Sequence, residues 1–317
     1  MKRVLVTGAT GFIGRAVCDD AMARGWRVRA ALRSRDVRLA SPVEQRQIGD
    51  ISDANWASCL EDTQAVIHLA GIAHEIKGQQ AEAVYHRVNS AASERLAREA
   101  ARHGVRRFVF VSSIKVNGER TAPGQAFRSS DVPAPRDRYG ESKWHAERAL
   151  ARVAAETGIE VTVVRPPLVY GPGVRANFLR LIRLVDSGLP LPFASIHNRR
   201  SLVYVGNLSD LLLACASAPQ AAGRTLLAAD ARDLSTPQLV AMIATALGRR
   251  PRLLPFPPAL LRAVAAACGQ ADKVERLVES LVVDATETRD LLDWQPRCDV
   301  TQALAQTIAW YRTRRAT

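Results

Sequence analysis

Short apolar runs alternate with longer amphipathic segments through the first half of the chain. The runs that predict strands lie near residues 3–7, 27–32, 44–48, 65–69, 107–111 and 160–165. Helical patterns separate them near 12–24, 53–61, 80–103 and 139–157. Buried strands joined by crossover helices are typical of a doubly wound parallel sheet. We therefore predict an α/β fold whose first part is built on such a sheet.

Beyond Pro166 the pattern becomes irregular, because proline and glycine interrupt it repeatedly. Residues 202–228 again show a strand, helix and strand pattern, and we expect them to return to the main sheet. An apolar stripe near 299–313 predicts a last helix that packs on the body of the protein. We therefore expect a sheet domain over 1–168 plus about 202–228, and a smaller substrate-binding lobe over about 169–201 and 229–317.

Composition narrows the classes of partner. The 317 residues are 47% hydrophobic and 24% charged, as in ordinary globular proteins. The net charge of +13 raises the question of nucleic-acid binding, but the basic residues are scattered and aromatic residues make up only 5%. We therefore expect no nucleic-acid site. The most apolar later stretch, 259–268, contains Arg262 and is too short to cross a bilayer, so no membrane span is predicted.

The five cysteines lie far apart and form no C-x-x-C pair. This spacing argues against both a zinc site and a disulfide framework, and no metal is expected. Free thiols fit a reducing compartment, and the N-terminus leads directly into the first predicted strand. The expected location is the cytoplasm.

A glycine-rich turn follows the first predicted strand and precedes an amphipathic helix. Its glycines allow a tight turn, a close approach of backbone N–H groups to a pyrophosphate, and close packing of the helix on the strand. The helix N-terminus adds unpaired N–H groups and the positive end of its dipole. These features predict a Rossmann dinucleotide site. Its phosphate-binding residues are expected to be Gly8, Thr10, Gly11, Phe12, Ile13 and Gly14.

The end of the second predicted strand bears on the identity of the cofactor. NAD-binding folds place an acidic residue there for the ribose hydroxyls, but this chain has Leu32. Arg33 and Arg35 follow, and a guanidinium pairs with a 2′-phosphate in fork geometry. We therefore favour NADP(H), with NAD(H) as the alternative if both arginines are only surface residues of a loop. The adenosine end is expected against Asp50, Ile51, Leu69, Ala70 and Gly71.

A Tyr-x-x-x-Lys motif at the start of a predicted helix supplies the candidate chemistry. Tyr139 and Lys143 are four residues apart and therefore share one helical face. A free tyrosine has a pKa of about 10, and a lysine ammonium one turn away favours the phenolate and can bond the cofactor ribose. Ser113, at the end of the fifth predicted strand, is expected to hydrogen-bond the substrate oxygen. These residues predict a proton relay beside a nicotinamide ring.

In these motifs and their order, the chain resembles the extended short-chain dehydrogenase/reductases, which include nucleotide-sugar epimerases, dehydratases and reductases. The resemblance covers essentially the whole length and rests on residues 7–14, Asp50, 68–71, Asn89, Ser112, Ser113, Tyr139, Lys143 and 165–173. It implies that Ser113, rather than Ser112, is the catalytic serine. It also implies that Pro166 flanks the nicotinamide, that Asn89 supports the cofactor site, and that a homodimer forms through the helices near 80–103 and 139–157.

The resemblance to UDP-sugar enzymes also implies residues for the substrate. An asparagine at the start of a helix and an arginine before a strand hold the nucleotide in those enzymes, and Asn177, Phe178 and Arg200 match these places. For Arg200, a bidentate guanidinium is also the expected partner of a diphosphate. Lys115 replaces the small hydroxyl residue often found two places after the catalytic serine, so we expect its cation to point toward the sugar.

Two redox reactions are compatible with these residues. Arg33 favours an NADPH-dependent reductase of a 4-keto sugar, such as one that converts UDP-4-keto-6-deoxy-N-acetylglucosamine to UDP-N-acetylquinovosamine for surface polysaccharide. The alternative is a UDP-hexose or UDP-N-acetylhexosamine 4-epimerase with bound NAD, and a remote one is a non-catalytic dinucleotide sensor. Dehydration is not expected, because Ile114 and Lys115 stand where the dehydratases have an acidic pair.

Overall fold

The computed structural model of the protein describes residues 2–34, 39, 42–73 and 80–316. Its strands are β1 (Arg3–Thr7), β2 (Arg27–Leu32), β3 (Glu44–Gln47), β4 (Ala65–His68), β5 (Arg107–Val111), β6 (Glu160–Arg165), β7 (Leu168–Tyr170), β8 (Leu202–Tyr204) and β9 (Thr225–Leu227). Its α-helices are α1 (Phe12–Ala23), α2 (Ala57–Leu60), α3 (Ala81–Tyr85), α4 (Ala92–Arg102), α5 (Arg138–Thr157), α6 (Ala176–Asp186), α7 (Val205–Ser217), α8 (Thr236–Ala246), α9 (Pro258–Ala267), α10 (Ala271–Val278), α11 (Thr286–Leu292) and α12 (Val300–Ala316). A π-helical segment, His86–Ala91, joins α3 to α4, and short 3-10 turns cover Ile114–Val116 and Pro219–Ala221.

Seven of these strands form one parallel sheet in the order β3–β2–β1–β4–β5–β6–β9. The chain starts near the centre, builds outward to β3, and then passes β1 to build the other half from β4. This is the doubly wound arrangement, and it confirms the predicted α/β fold. The strand order reverses between β1 and β4, so the crevice at the carboxyl ends of these two strands is where such a sheet binds ligands.

β1 illustrates why the middle residues of the central strands are apolar. Val4 and Val6 pack into the layer that contains α1 and α7, whereas Leu5 packs on the opposite face with α4 and α5. Successive side chains of a strand point to opposite faces, so a strand covered by helices on both sides must be apolar throughout. β3 differs because it is an edge strand, and its four residues are all polar and largely exposed.

The second half of the chain builds a further apolar cluster from β7, β8, α6, α8 and α12. β9 joins the main sheet beside β6, in line with the pattern near residue 225. β8 instead pairs with β7 in a two-stranded sheet, because its Leu202 and Tyr204 pack into this further cluster and not against the main sheet. The division into the two predicted lobes itself stays a prediction.

α4 and α5 lie side by side, and their outer surface carries ion pairs. Arg98 of α4 bonds Glu94 at 2.9 Å and Glu156 of α5 at 2.5 Å. The apolar sides of the two helices are used against the sheet, where Leu96 and Leu150 are buried. A homodimer through these helices stays a prediction, and a partner copy would meet a charged surface there.

Replacing Gly14 by alanine should destabilise the protein by about 3 kcal/mol, because the new methyl group has no space. Its Cβ would lie 2.7 Å from Ala9 Cα and closer still to the Gly8 carbonyl oxygen. Gly25→Ala is the control, since Gly25 has a φ of +73° but open space around it, and only the left-handed backbone costs about 1 kcal/mol there. Urea unfolding measures both losses, and equal losses would contradict the close packing of α1 on β1.

Candidate active site

The turn between β1 and α1 contains the predicted phosphate-binding residues. Gly8 has a φ of +67°, and a Cβ there would lie 2.9 Å from the backbone N of Ala70. Gly11 donates its backbone N–H to the Gly8 carbonyl at 2.9 Å, which closes the turn. α1 begins at Phe12 with no acidic residue in its first turn, so no carboxylate there competes with an anion at its positive end. This cradle fits the pyrophosphate of a dinucleotide.

A buried chain of hydrogen bonds fixes the turn that follows β4. The Thr7 hydroxyl accepts the backbone N–H groups of residues 69 and 70 at 3.2 and 3.1 Å, so its own proton is donated to His68 Nδ1 at 2.7 Å. His68 Nε2 then donates to Ser93 Oγ at 2.8 Å, and the Ser93 hydroxyl donates to the Asn89 carbonyl at 2.7 Å. Burial lowers the pKa of His68 to about 3, so the ring stays neutral and keeps this arrangement of protons.

The Asn89 side chain connects the same turn to helix α5. Its Oδ1 accepts the backbone N–H of Ile72 at 2.8 Å, and its Nδ2 donates to the Ile72 carbonyl and to Ser142 Oγ, both at 3.0 Å. A Cβ on Gly71 would lie 2.8 Å from Asn89 Oδ1, so glycine permits this approach. The arrangement suits a supporting residue better than a direct cofactor ligand.

The residues predicted for the adenosine end lie around the carboxyl end of β2. Leu32 is buried there, whereas Arg33 is exposed. Asp50 Oδ1 accepts the backbone N–H of Ser52 at 2.8 Å, and this bond, with a contribution from the charge of Arg33, lowers the pKa of Asp50. Arg35 lies outside the described residues. The other residues predicted for the adenosine end lie after β3 and β4: Ile51, Leu69 and Ala70. Two further residues of the predicted phosphate-binding set lie after β1: Thr10 and Ile13.

Ser113, Tyr139 and Lys143 meet at the carboxyl end of β5. The Ser113 side chain is close enough to the Tyr139 phenol to act on its pKa. Lys143 lies one turn further along α5, where its Nζ donates to the Val111 carbonyl at 2.8 Å and lies 4.4 Å from the centre of the Phe110 ring. The end of one strand and the first turns of one helix thus bring the three predicted relay residues together.

Burial determines the protonation of the two titratable groups of this relay. It raises the pKa of Tyr139 to about 12, although the Ser113 side chain acts in the opposite direction. It lowers the pKa of Lys143 to about 8, opposed by the carboxylate of Glu147. In the protein alone the phenol is therefore protonated at neutral pH, and a phenolate requires further positive charge beside the ring.

Pro166 lies beside the turn that carries Ser113. Its carbonyl accepts the backbone N–H of Ile114 at 3.0 Å. In the same turn, the Ser113 hydroxyl accepts the backbone N–H of Lys115 at 3.3 Å. Pro166 is therefore next to the relay, and its contact with a nicotinamide stays a prediction.

A buried ion pair that the sequence did not predict lies next to Ser113, Tyr139 and Lys143. Both carboxylate oxygens of Glu147 bond Arg165, at 3.0 and 2.5 Å. Ser112 donates to the same carboxylate at 2.5 Å, and Asn117 Oδ1 accepts from Arg165 at 2.9 Å. All four side chains are buried. The network ties the ends of β5 and β6 to α5, and a glutamate four residues after Lys143 is the signal that could have indicated it.

Lys115 is bound to acidic groups at the N-terminus of α5. Its Nζ donates to the carboxylate of Glu119 at 2.8 Å and to that of Asp137. Burial alone would lower the pKa of Lys115, but these two hydrogen bonds raise it above its ordinary value. Asp137 also caps α5, because its Oδ1 accepts the Gly140 N–H at 2.7 Å. Its place as a capping residue just before a predicted helix is the signal that could have identified it.

The residues predicted for the nucleotide of the substrate differ in their surroundings. Phe178 is buried in α6 and stacks on an aromatic ring of β7 with 5.3 Å between ring centres, so it supports the lobe. Asn177 is exposed in the first turn of α6. Arg200 donates to the Glu279 carbonyl at 3.0 Å, and burial, with the nearby charge of Arg276, lowers its pKa. Two neighbouring guanidinium groups of this kind would be stabilised by an anion between them.

Known proteins resemble this chain along nearly its whole length. The family model described as "NAD dependent epimerase/dehydratase family" matches residues 4–229. A UDP-glucose 4-epimerase from Vibrio cholerae is 39% identical over 314 residues, covering 96% of this chain and 94% of that protein. Among solved structures, MoeE5 in complex with UDP-glucose and NAD is 28% identical, with a TM-score of 0.79 over 99% of this chain and 100% of that one. A UDP-N-acetylglucosamine 4-epimerase from Bacillus cereus, 20% identical, shares the fold with a TM-score of 0.79 over 98% and 100% of the two chains.

The described residues lack two kinds of feature, a membrane-spanning helix and a metal-binding cluster. None of their helices is long and apolar enough to cross a membrane. Within the same residues, no group of three or more His, Cys, Asp or Glu side chains could hold a metal ion. The thiols of Cys18, Cys59 and Cys215 are free and buried.

Replacing Glu147 by glutamine should destabilise the protein by about 3 kcal/mol, because it leaves the buried guanidinium of Arg165 without its full counter-charge. Urea unfolding followed by circular dichroism measures the loss. Glu156→Gln is the matched control, since Glu156 lies on the same helix and also bonds an arginine at 2.5 Å, but in solvent. It should leave the unfolding midpoint nearly unchanged. A similar loss in both variants would rule out a special role for the buried pair.

The neutral His68 predicts a loss of stability in mild acid. The unfolded chain protonates this ring near its ordinary pKa of 6.5, whereas the folded protein resists protonation down to a pKa of about 3. Between these values the unfolded state binds one more proton, so stability falls as the pH falls. From pH 7 to pH 5 this contribution is about 2 kcal/mol.

Urea unfolding at the two pH values tests this with His68→Asn. The variant should lose about 2 kcal/mol less on acidification than the original protein, whatever its stability at pH 7. His103→Asn removes an exposed imidazole and should keep the original pH dependence. If H68N loses as much stability in acid as the original protein does, His68 is not held neutral in the folded protein.

Proposed function

Since the chain belongs to the NAD dependent epimerase/dehydratase family, we propose that it inverts C4 of a UDP-linked sugar and keeps its NAD bound throughout. Its relatives support an NAD(P)-dependent enzyme that acts on a nucleotide sugar. The observation that carries this proposal is the 39% identity to a UDP-glucose 4-epimerase over 96% of the chain. Arg33 by itself favours a reductase, whereas the relatives favour the alternative, a 4-epimerase.

The proposed cofactor contacts follow the two turns at the centre of the sheet. The cradle of residues 8–14 binds the pyrophosphate, and residues 69–71 pass beside the adenosine, where Asp50 accepts a hydrogen bond. Lys143 donates to the nicotinamide ribose. When bound, NAD supplies the hydride acceptor and donor for C4 together with a positively charged ring.

The proposed proton chemistry takes place on the sugar O4. Tyr139 removes the O4 proton as the alcohol becomes a ketone, and it returns the proton to O4 once C4 has been reduced on its other face. Ser113 hydrogen-bonds O4 and holds it against Tyr139. Because the pKa of Tyr139 is about 12 in the protein alone, the phenolate depends on the charge of Lys143 and on the positive ring beside it. The reaction has no net oxidation or reduction.

The proposed UDP contacts come from the second half of the chain. Arg200 and Arg276 bind the diphosphate, in keeping with the lowered pKa of Arg200 that their proximity helps to cause. Asn177 is exposed at the start of α6 and contributes to the nucleotide site. Lys115 contacts the sugar while it remains ion-paired with Asp137.

An NADPH-dependent 4-keto-sugar reductase is the second candidate, because the residues at the end of β2 favour NADP over NAD. Leu32 is buried where an acidic ribose ligand would stand in an NAD site, and Arg33 is exposed directly after it. The same Arg33 is close enough to Asp50 to lower the pKa of that carboxyl. An arginine at this point favours a 2′-phosphate.

The purified protein should interconvert UDP-glucose or UDP-N-acetylglucosamine with the C4 epimer without added cofactor, and denaturation should release NAD. Tyr139→Phe should lower the rate by about a hundredfold or more, because it removes the group that exchanges the O4 proton. Product formation is followed by chromatography, and the released dinucleotide is identified by mass spectrometry.

Tyr311→Phe is the control for loss of a tyrosine hydroxyl, since its partner is the distant Asp186. It should retain full activity. Release of NADP, with no epimer formed and with NADPH consumed on addition of UDP-4-keto-6-deoxy-N-acetylglucosamine, would replace the epimerase by the reductase. Full activity in Y139F would refute the relay in either reaction.

A further inference from the structure

Exposed apolar side chains are concentrated at one edge of the second half of the chain. Leu254, Leu260 and Val264 are 52%, 50% and 51% exposed and lie in or just before α9. Leu189, which is 61% exposed, lies in the segment beside Leu254, because the backbone N–H of Leu254 bonds the Leu191 carbonyl at 2.8 Å. We call Leu189, Leu254, Leu260 and Val264 the α9 surface.

Helix α9 is fixed to the protein by its other sides. Ala265 is buried, and Leu261 packs against the apolar cluster of the second half of the chain. Arg262 bonds Glu275 and Glu279 at 3.3 and 2.8 Å, which anchors the helix to α10 and the turn after it. Residues 260 and 264 are one helical turn apart and therefore share a face that these contacts leave open. The apolar surface thus belongs to a packed helix.

Arginines border the α9 surface, and the carboxylates described beside it, those of Asp186, Glu275 and Glu279, are already paired with arginines. Residues 234–271 contain no aspartate or glutamate, and residues 300–317 contain none either. Leu189 lines the same shallow hollow as Arg250 and Arg252. Arg249 and Arg315 both pair with the single carboxylate of Asp186, which brings the end of α12 to the same border. The edge therefore combines large apolar side chains with more arginines than the carboxylates that pair with them.

We propose that the α9 surface docks on the headgroup region of an anionic lipid bilayer. Leucine and valine side chains gain free energy by leaving water at the boundary between headgroups and acyl chains, while bordering arginines are attracted to anionic headgroups. A second copy of this chain is a poorer occupant, because it would bring a second set of arginines against the first. A nucleic acid would match the charge but would leave the leucines without an apolar partner. The ten residues of α9 are too few to span a bilayer, so the contact is peripheral.

Flotation with lipid vesicles tests this docking. The full chain is mixed with vesicles of phosphatidylethanolamine and phosphatidylglycerol, or of phosphatidylcholine alone, and the protein that floats with the lipid is measured. We expect about tenfold more protein on the anionic vesicles than on the neutral ones, because several arginines contribute. Raising the salt to about 0.5 M should remove most of this difference by screening.

Paired variants separate the two parts of the surface. L260S/V264S removes apolar contact, with Val132→Ser as its control because Val132 is 84% exposed elsewhere. R250Q/R252Q removes charge, with R120Q/R136Q as its control because both of those arginines are exposed and lie outside the α9 border. Each test variant should bind the anionic vesicles about fivefold or more weakly, and each control should bind as the original protein does. Thermal unfolding verifies the fold of every variant without relying on enzyme activity.

Several outcomes would overturn the docking proposal. These are no binding to either kind of vesicle, equal binding to both, and unchanged binding by L260S/V264S. A concentration-dependent dimer that L260S/V264S abolishes would assign the surface to a second copy of the chain. Retention on nucleic acid without binding to vesicles would assign the charge to that partner.

Discussion

The turn after β1 lies so close to the turn after β4 that no methyl group fits between them. A Cβ on Gly8 would meet the backbone of residues 69 and 70, and one on Gly14 would meet the turn after β1 itself. The hydroxyl of Thr7 then bonds the same backbone and passes its proton to His68. Backbone contact and one buried imidazole therefore fix how close the two turns lie to each other beyond the paired strands.

The position of the relay depends on the same contact. Asn89 is hydrogen-bonded to the turn after β4 and to Ser142, which lies between Tyr139 and Lys143 on α5. The Ser142 hydroxyl in turn donates to the Tyr139 carbonyl at 2.8 Å. The Asn89 side chain thus links α5, which carries Tyr139 and Lys143, to the turn after β4. A shift of either turn would be transmitted to Tyr139.

Local patterns predicted most of the first half of the fold, because strands buried on both faces leave an unmistakable run of apolar residues. The runs at 107–111 and 160–165 agree with β5 and β6 residue for residue. The helix expected near 53–61 is confined to Ala57–Leu60, because Asn55 bonds the Ala57 N–H and holds the preceding residues in a turn. A run of three apolar residues indicates that β8 is a strand but does not say which sheet it joins.

In the candidate site, too, local spacing predicted some features, and others depend on contacts between distant parts of the chain. Tyr139 and Lys143 are related by helical spacing, which the sequence displays directly, whereas Arg165 reaches Glu147 only after a strand has folded back beside α5. The pKa of Tyr139 was not accessible from spacing either, because it is raised mainly by burial, which only the folded structure reveals. Motifs therefore predict which groups react, and burial in the folded protein decides the protonation of these groups.

The pairing of Lys115 with Asp137 has a consequence for how such a site can evolve. Asp137 is useful by itself, because it caps α5 whether or not a lysine is present. Lys115 without Asp137 would be a partly buried cation that depends on Glu119 alone. Ancestral chains could gain the aspartate first at little cost, while the reverse order passes through a less stable form. A lysine at position 115 then implies an acid at position 137, but the acid does not imply the lysine.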